Sequence, residues 1–419
     1  MVLQPIKIEA AMNIPNELIC ASEVNAFMKR EKQRNCDRCC CSEHESFLFK
    51  LVEPVPRLGK FLGLLAVMLV ATGHLEAQIY TWNSTSSQAY NTAGNWSPSG
   101  GPTASRIAQF DNVTLTTSGG AMGIGSTSAA SQAIVITSNY GGNLTFGASG
   151  TTGANLAFSL TGNAMVDGVS NVAISNNSSY NLIFNPTHTS GNNTLQLTFG
   201  NATNNVIRVA NSGNVTINAA ITGANPLTVS ATGSGRVTLN GTNTYNGSTT
   251  VSAGTLLLGS AGSIATSSVL KIASGATFDV KAKSGGFTLN NPLTIDVDVA
   301  NAGKLDATGV ALTYGGNLTL NITTATPLSS YNLFVFSSEL GTFSSIALTG
   351  SFSGNMTNSS GVWTASSNGY DFTFTESNGV FSAATAAIPE PGTWALMGIG
   401  TAFLLYRIRR KDSSSSGHN

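Results

Sequence analysis

Apolar and small polar residues alternate in short runs along most of this chain, and clusters of Gly and Asn separate them. The runs at 133–137, 143–146, 181–184, 194–199, 204–209, 214–217, 226–229, 235–239 and 254–258 all read this way. A period of two puts every second side chain on one face of a strand, and Asn and Gly supply the turns between strands. No stretch of the body between 78 and 387 shows a helical period. Strands this short, recurring every 10 to 20 residues, cannot stand alone. They predict a solenoid whose rungs bury one another's apolar side. A right-handed parallel β-helix accounts for the pattern best, so the fold class is all-β. β-sandwich modules would need longer regular strands. Disorder, which the Gly/Ser/Thr/Asn content alone suggests, is opposed by the regular spacing.

Two apolar segments break this pattern, one before the body and one after it. Arg57 and Lys60 precede the run Phe61–Ala71, and small residues lead on to Ala77. A basic flank, a short apolar core and a terminal small residue predict a secretory signal helix over 57–77. The second segment runs from Thr393 to Tyr406 and contains Trp394, Leu396, Met397, Phe403, Leu404 and Leu405. Pro389-Glu390-Pro391 stands before it and forces an extended approach. Arg407, Arg409, Arg410 and Lys411 follow, and such a cluster favours the cytoplasmic side of a membrane. These 14 residues make about 21 Å of helix, against a hydrocarbon core of about 30 Å. The expectation is a short C-terminal transmembrane helix within 388–412, a marginal anchor suited to removal, with a disordered tail over 413–419.

Composition divides the rest. All five cysteines, Cys20, Cys36, Cys39, Cys40 and Cys41, lie in a charged stretch over 1–56. No second ligand pair stands at zinc-site spacing, and His44 alone does not complete one. This extension is expected to lie upstream of the natural start. The body has no cysteine and therefore no disulfide. It carries seven basic and nine acidic residues, about −2 overall, which gives no electrostatic footprint for nucleic acid. The solenoid is expected over 78–330, and a C-terminal β cap, rich in aromatics from Tyr331 to Phe374, over 331–387.

Candidate chemistry is sparse. Trp82 and Trp96 sit among Asn and Gly, where rings can stack on sugars; the stronger expectation is a cap sealing the first rung. Asp296 and Asp298 should share one strand face, with Asp306 nearby, and a solvated edge is the expected reading. Lys281 and Lys283 form a similar pair expected to serve solubility. His188 is the body's lone histidine and lies in a loop sequence without a nucleophile elbow. No catalytic, cofactor-binding or metal-binding residues are expected.

The tail from Pro389-Glu390-Pro391 through the apolar run to the basic cluster resembles the PEP-CTERM sorting signal of bacterial exopolysaccharide-associated proteins. That resemblance implies cutting near the motif by exosortase, a membrane transpeptidase. The stretch 235–259, with Leu239-Asn-Gly-Thr-Asn-Thr-Tyr245, Thr249-Thr250-Val251 and Ala253-Gly254-Thr255-Leu256, is similar to the autotransporter-associated β-strand repeat of bacterial surface passengers. In rung terms, Val237 and Leu239 form one strand, Thr249 and Val251 begin the next, and Leu256 and Leu258 a third. No barrel translocator is expected after it. Two functions compete. One is a non-enzymatic surface or matrix rod, biofilm-associated or adhesive, in contact with the membrane, exosortase and polysaccharide. The other is a polysaccharide lyase or hydrolase on a β-helix, which requires Asp279, Asp296, Asp298 and Asp306 to converge in one groove.

Overall fold

Strands in the body are two to eleven residues long, and most of them pair parallel. The computed structural model describes residues 78–85, 89–112, 114–115, 120–125, 127–188, 192–327, 330–387 and 391–412. The signal segment 57–77 and the extension 1–56 lie outside the described residues, as do Pro389 and Glu390.

Three parallel sheets share the body. Sheet A contains Arg106–Phe110, Ala133–Ile136, Val169–Asn176, Val206–Val209, Leu227–Ala231, Thr249–Ala253, Leu270–Ile272, Leu293–Val297, Asn317–Ile322 and Ser345–Gly350, in that spatial order. Sheet B runs beside it through Ala121–Gly123, Leu144–Ala148, Leu182–Thr187, Val215–Ile217, Val237–Leu239, Thr255–Leu258, Thr277–Asp279 and Lys304–Tyr314 to Phe334–Gly341. Sheet C holds Ala129–Ser131, Asn155–Leu160, Thr194–Phe199 and Ala220–Thr222. The chain visits A, B and C in rotation four times, then only A and B. This mostly-β arrangement of parallel sheets is consistent with a β-helix, each rung lying about 4.8 Å from the next.

Alternation explains the core. In register, Leu182, Val215, Val237, Leu256, Phe278 and Leu305 stack along sheet B, and all are essentially inaccessible. The residues between them, such as Thr216 and Thr238, face out and are half-buried. The repeat forms the strands read from its sequence: Val237–Leu239, Thr249–Ala253 and Thr255–Leu258. One hairpin departs from the rung pattern. Ala164–Val166 folds antiparallel onto Val169–Asn176 and covers the outward apolar residues Ile107, Val135, Val172 and Val206 in a satellite cluster. Arg208 holds its turn through Asp167 at 2.8 Å.

Both ends are closed by aromatics. Trp82 and Trp96 are buried edge to face at 5.1 Å, and Trp82 stacks on Phe110 at 5.9 Å. They cap the first rung and are closed to sugars. At the other end, Thr357–Ser359, Val362–Ser367, Tyr370–Thr375, Val380–Thr385 and Ser330–Asn332 form an antiparallel sheet D. Its Trp363, Phe372, Phe374 and Phe381 are buried in the main core with Phe334 and Phe343.

The C-terminal helix forms over Pro391–Asp412. Among the described residues, no helix is long and apolar enough to cross a membrane, so a transmembrane span is not supported. The physical reason is length. The apolar run ends at Tyr406, and the last turns are given to Arg407, Arg409, Arg410 and Lys411. Met397, Phe403, Leu404 and Leu405 are exposed along it, as is Arg407.

Candidate functional site

Sheet B sets Asp279 and Asp306 side by side as register partners on neighbouring strands. Like charges at rung spacing repel, and Lys281 offsets them, lying 3.1 Å from Asp279 and 3.0 Å from Asp306. These carboxylates, Asp306 first, raise the pKa of Lys281. Lys281 thus neutralises a buried carboxylate, which goes beyond the solubility expected of it. Lys283 also does more than solubilise: its ammonium donates to the carbonyls of Ser260, at 3.0 Å, and Gly262, and burial lowers its pKa.

The other two carboxylates lie apart from this pair. Asp296 is on sheet A, 3.0 Å from Lys271, and accepts from Asn321 Nδ2 at 2.8 Å. Asp298 does not share its strand face, because the strand ends at Val297 and the chain turns there. In that turn Asp298 accepts from Ser274 Oγ at 2.6 Å and from the Asn301 and Ala300 amides at 2.7 and 2.8 Å. These donors, the Ser274 hydroxyl foremost, hold its carboxyl below the usual range. Four carboxylates therefore occupy three places, each with its own donors. His188 is half-buried just past Leu182–Thr187, and burial depresses its pKa. No group of three or more His, Cys, Asp or Glu among the described residues could hold a metal ion.

Corner asparagines form ladders between rungs, a role their side-chain amides suit. Asn218 Nδ2 donates to Asn185 Oδ1 at 2.7 Å, and Asn240 Nδ2 to Asn218 Oδ1 at 2.6 Å. A second ladder joins Asn143, Asn181 and Asn214 and ends on the Arg236 amide at 3.1 Å. Outside sheet A, Thr228, Thr250, Lys271, Thr294 and Thr319 stand in one register column. The signal for these ladders, Asn at the same point of successive runs, is present in the sequence; the ion-pair partners of Lys281 are not marked by any local motif.

Of the tail residues, Pro391 opens the C-terminal helix, and Arg409, Arg410 and Lys411 fall within its last turns. The side chains of Trp394 and Leu396 lie outside the described residues.

Comparison with protein families gives two matches. The Passenger-associated-transport-repeat matches residues 229–258, six residues earlier at its start than the sequence stretch 235–259. The added residues carry the end of strand Leu227–Ala231, so the match reaches four successive strands, on sheets A, B, A and B in turn. The PEP-CTERM protein-sorting motif matches residues 387–411. No curated protein and no solved structure matches the chain. The sorting motif implies export and processing by exosortase, and the repeat points to a surface protein. With both matches falling where the tail and the rungs place them, this chain carries a PEP-CTERM protein-sorting motif and a passenger-associated-transport-repeat.

Proposed function

We propose that exosortase cuts this chain near Pro389-Glu390-Pro391 after export, leaving a non-enzymatic, right-handed β-helical rod at the cell surface or in the extracellular matrix. The match over 387–411 carries this reading. The helix Pro391–Asp412 holds the chain at the membrane only until the cut. Its short apolar run suits a temporary hold, helped by snorkelling arginines and local thinning. The rod then serves in a biofilm, in contact with polysaccharide or other cells through its Thr- and Asn-rich faces. Scattered carboxylates favour a scaffold over hydrolysis, which needs two carboxyl groups flanking one bond.

Mass spectrometry of both termini of the secreted protein tests the processing. The expected product begins after Ala77 and ends close to Pro391. A mature protein that retains Trp394–Lys411 would sink the proposal. Incubation with acidic and neutral polysaccharides is expected to release no shorter products; steady turnover would favour a lyase or hydrolase instead.

A further inference from the structure

The ends of the parallel sheets are not treated alike. Sheet A is closed at its start by Trp96–Ser97, antiparallel to Gln78–Trp82, and at its finish by Gly354–Asn355, antiparallel to Ser345–Gly350. Sheet B is met at its start by a bridge from Ala89 to Gly123. Its last strand, Phe334–Gly341, pairs on one side only, with Lys304–Tyr314. The Leu333 and Phe334 amides reach the Gly379 carbonyl at 3.0 and 3.2 Å. Beyond them, no strand among the described residues covers the free edge. Ser337, Ser338, Leu340 and Gly341 are exposed there, Leu340 to 63%. Natural sheets usually blunt such an edge.

A groove of about 660 Å³ lies at the Glu339–Gly341 end of this strand, lined by Glu339, Gly341, Thr342, Asn358, Val362 and Glu376 among others, with no basic residue among them. Neither glutamate has an ion-pair partner among the described residues. Glu376 is anchored from behind. Its Oε1 accepts from Thr342 Oγ1 at 2.7 Å, the Phe343 amide at 3.0 Å and Trp363 Nε1 at 3.0 Å, and its Oε2 takes no donor from the described residues. An open backbone edge beside an uncompensated acidic groove matches an extended cationic chain, because strand addition supplies affinity and the pockets supply specificity. We propose that the edge of Phe334–Gly341 takes up an extended segment of a partner protein as an added strand, with a lysine or arginine of that segment lodged against Glu339 and Glu376.

The test uses the full chain in detergent and three fluorescent peptides. The first alternates Val and Thr around two central lysines, the second replaces those lysines with glutamates, and the third keeps them but carries two prolines. The lysine peptide is expected to bind and to protect amides 337–341 from hydrogen exchange, while the other two do not. Glu339→Gln and Leu340→Lys, with unchanged circular dichroism, should each weaken binding on the order of tenfold. The proposal is overturned if the lysine peptide fails to bind, if the proline peptide binds equally well, or if neither variant changes the affinity.

Discussion

Phe146→Ala should remove about 3–5 kcal/mol from the stability of the amino-terminal rungs, the range for a large aromatic deleted from a packed core. Phe146 is fully buried and joins the cap to the first coils. It stacks on Phe184 at 5.2 Å and meets Phe158 at 5.6 Å, Tyr90 at 5.8 Å and Phe110 at 5.8 Å. Aromatic pairs of this kind are worth about 0.5–1.5 kcal/mol beyond area, so alanine forfeits several at once. Phe146→Leu keeps most of the volume and should cost less than about 1.5 kcal/mol. Because rungs contact only their neighbours, the loss should stay local. Urea unfolding followed by fluorescence reads this directly, because Trp82 and Trp96 sit at one end of the body and Trp363 at the other. With Trp363 retained as the sole tryptophan of the body, its transition should stay put; with Trp82 and Trp96 retained, the transition should move to lower urea. Equal shifts at both ends would refute the local, hub-like role of Phe146.

Gly254→Ala carries the second large effect. Gly254 holds φ at +67°, and a Cβ there would come within 2.0 Å of the Ala231 carbonyl oxygen on the preceding rung. Left-handed backbone strain and a forced separation of two rungs together cost on the order of 2–5 kcal/mol. Gly275 provides the control. Its φ is similar, +73°, but a Cβ would meet nothing, so Gly275→Ala should show only the strain, about 1–2 kcal/mol. The difference between the two unfolding midpoints measures how closely successive rungs approach. Equal losses would mean that close approach at Gly254 has no energetic weight.

These predictions separate what was readable in the chain from what was not. The nine sequence runs from 133 to 258 all became strands, because alternation is a local property and each rung buries one face. The asparagine ladders were foreseeable for the same reason, as identical corners recur from rung to rung. Asp296 and Asp298 were misread because the pattern does not show where a strand stops. Val297 is the last strand residue, and Asp298 caps a turn instead.

The sequence by itself determined the sorting tail, the repeat, the parallel-strand character and the charge-poor body, since each rests on residues close together in the chain. Only the tertiary structure decided which rungs meet. It placed Asp279 against Asp306 under Lys281, laid the hairpin Ala164–Val166 over an outward apolar strip, added sheet C to four coils and left one edge of sheet B without a pairing strand among the described residues. Such pairings depend on the length of every intervening coil, because one residue more or less turns each side chain to the opposite face.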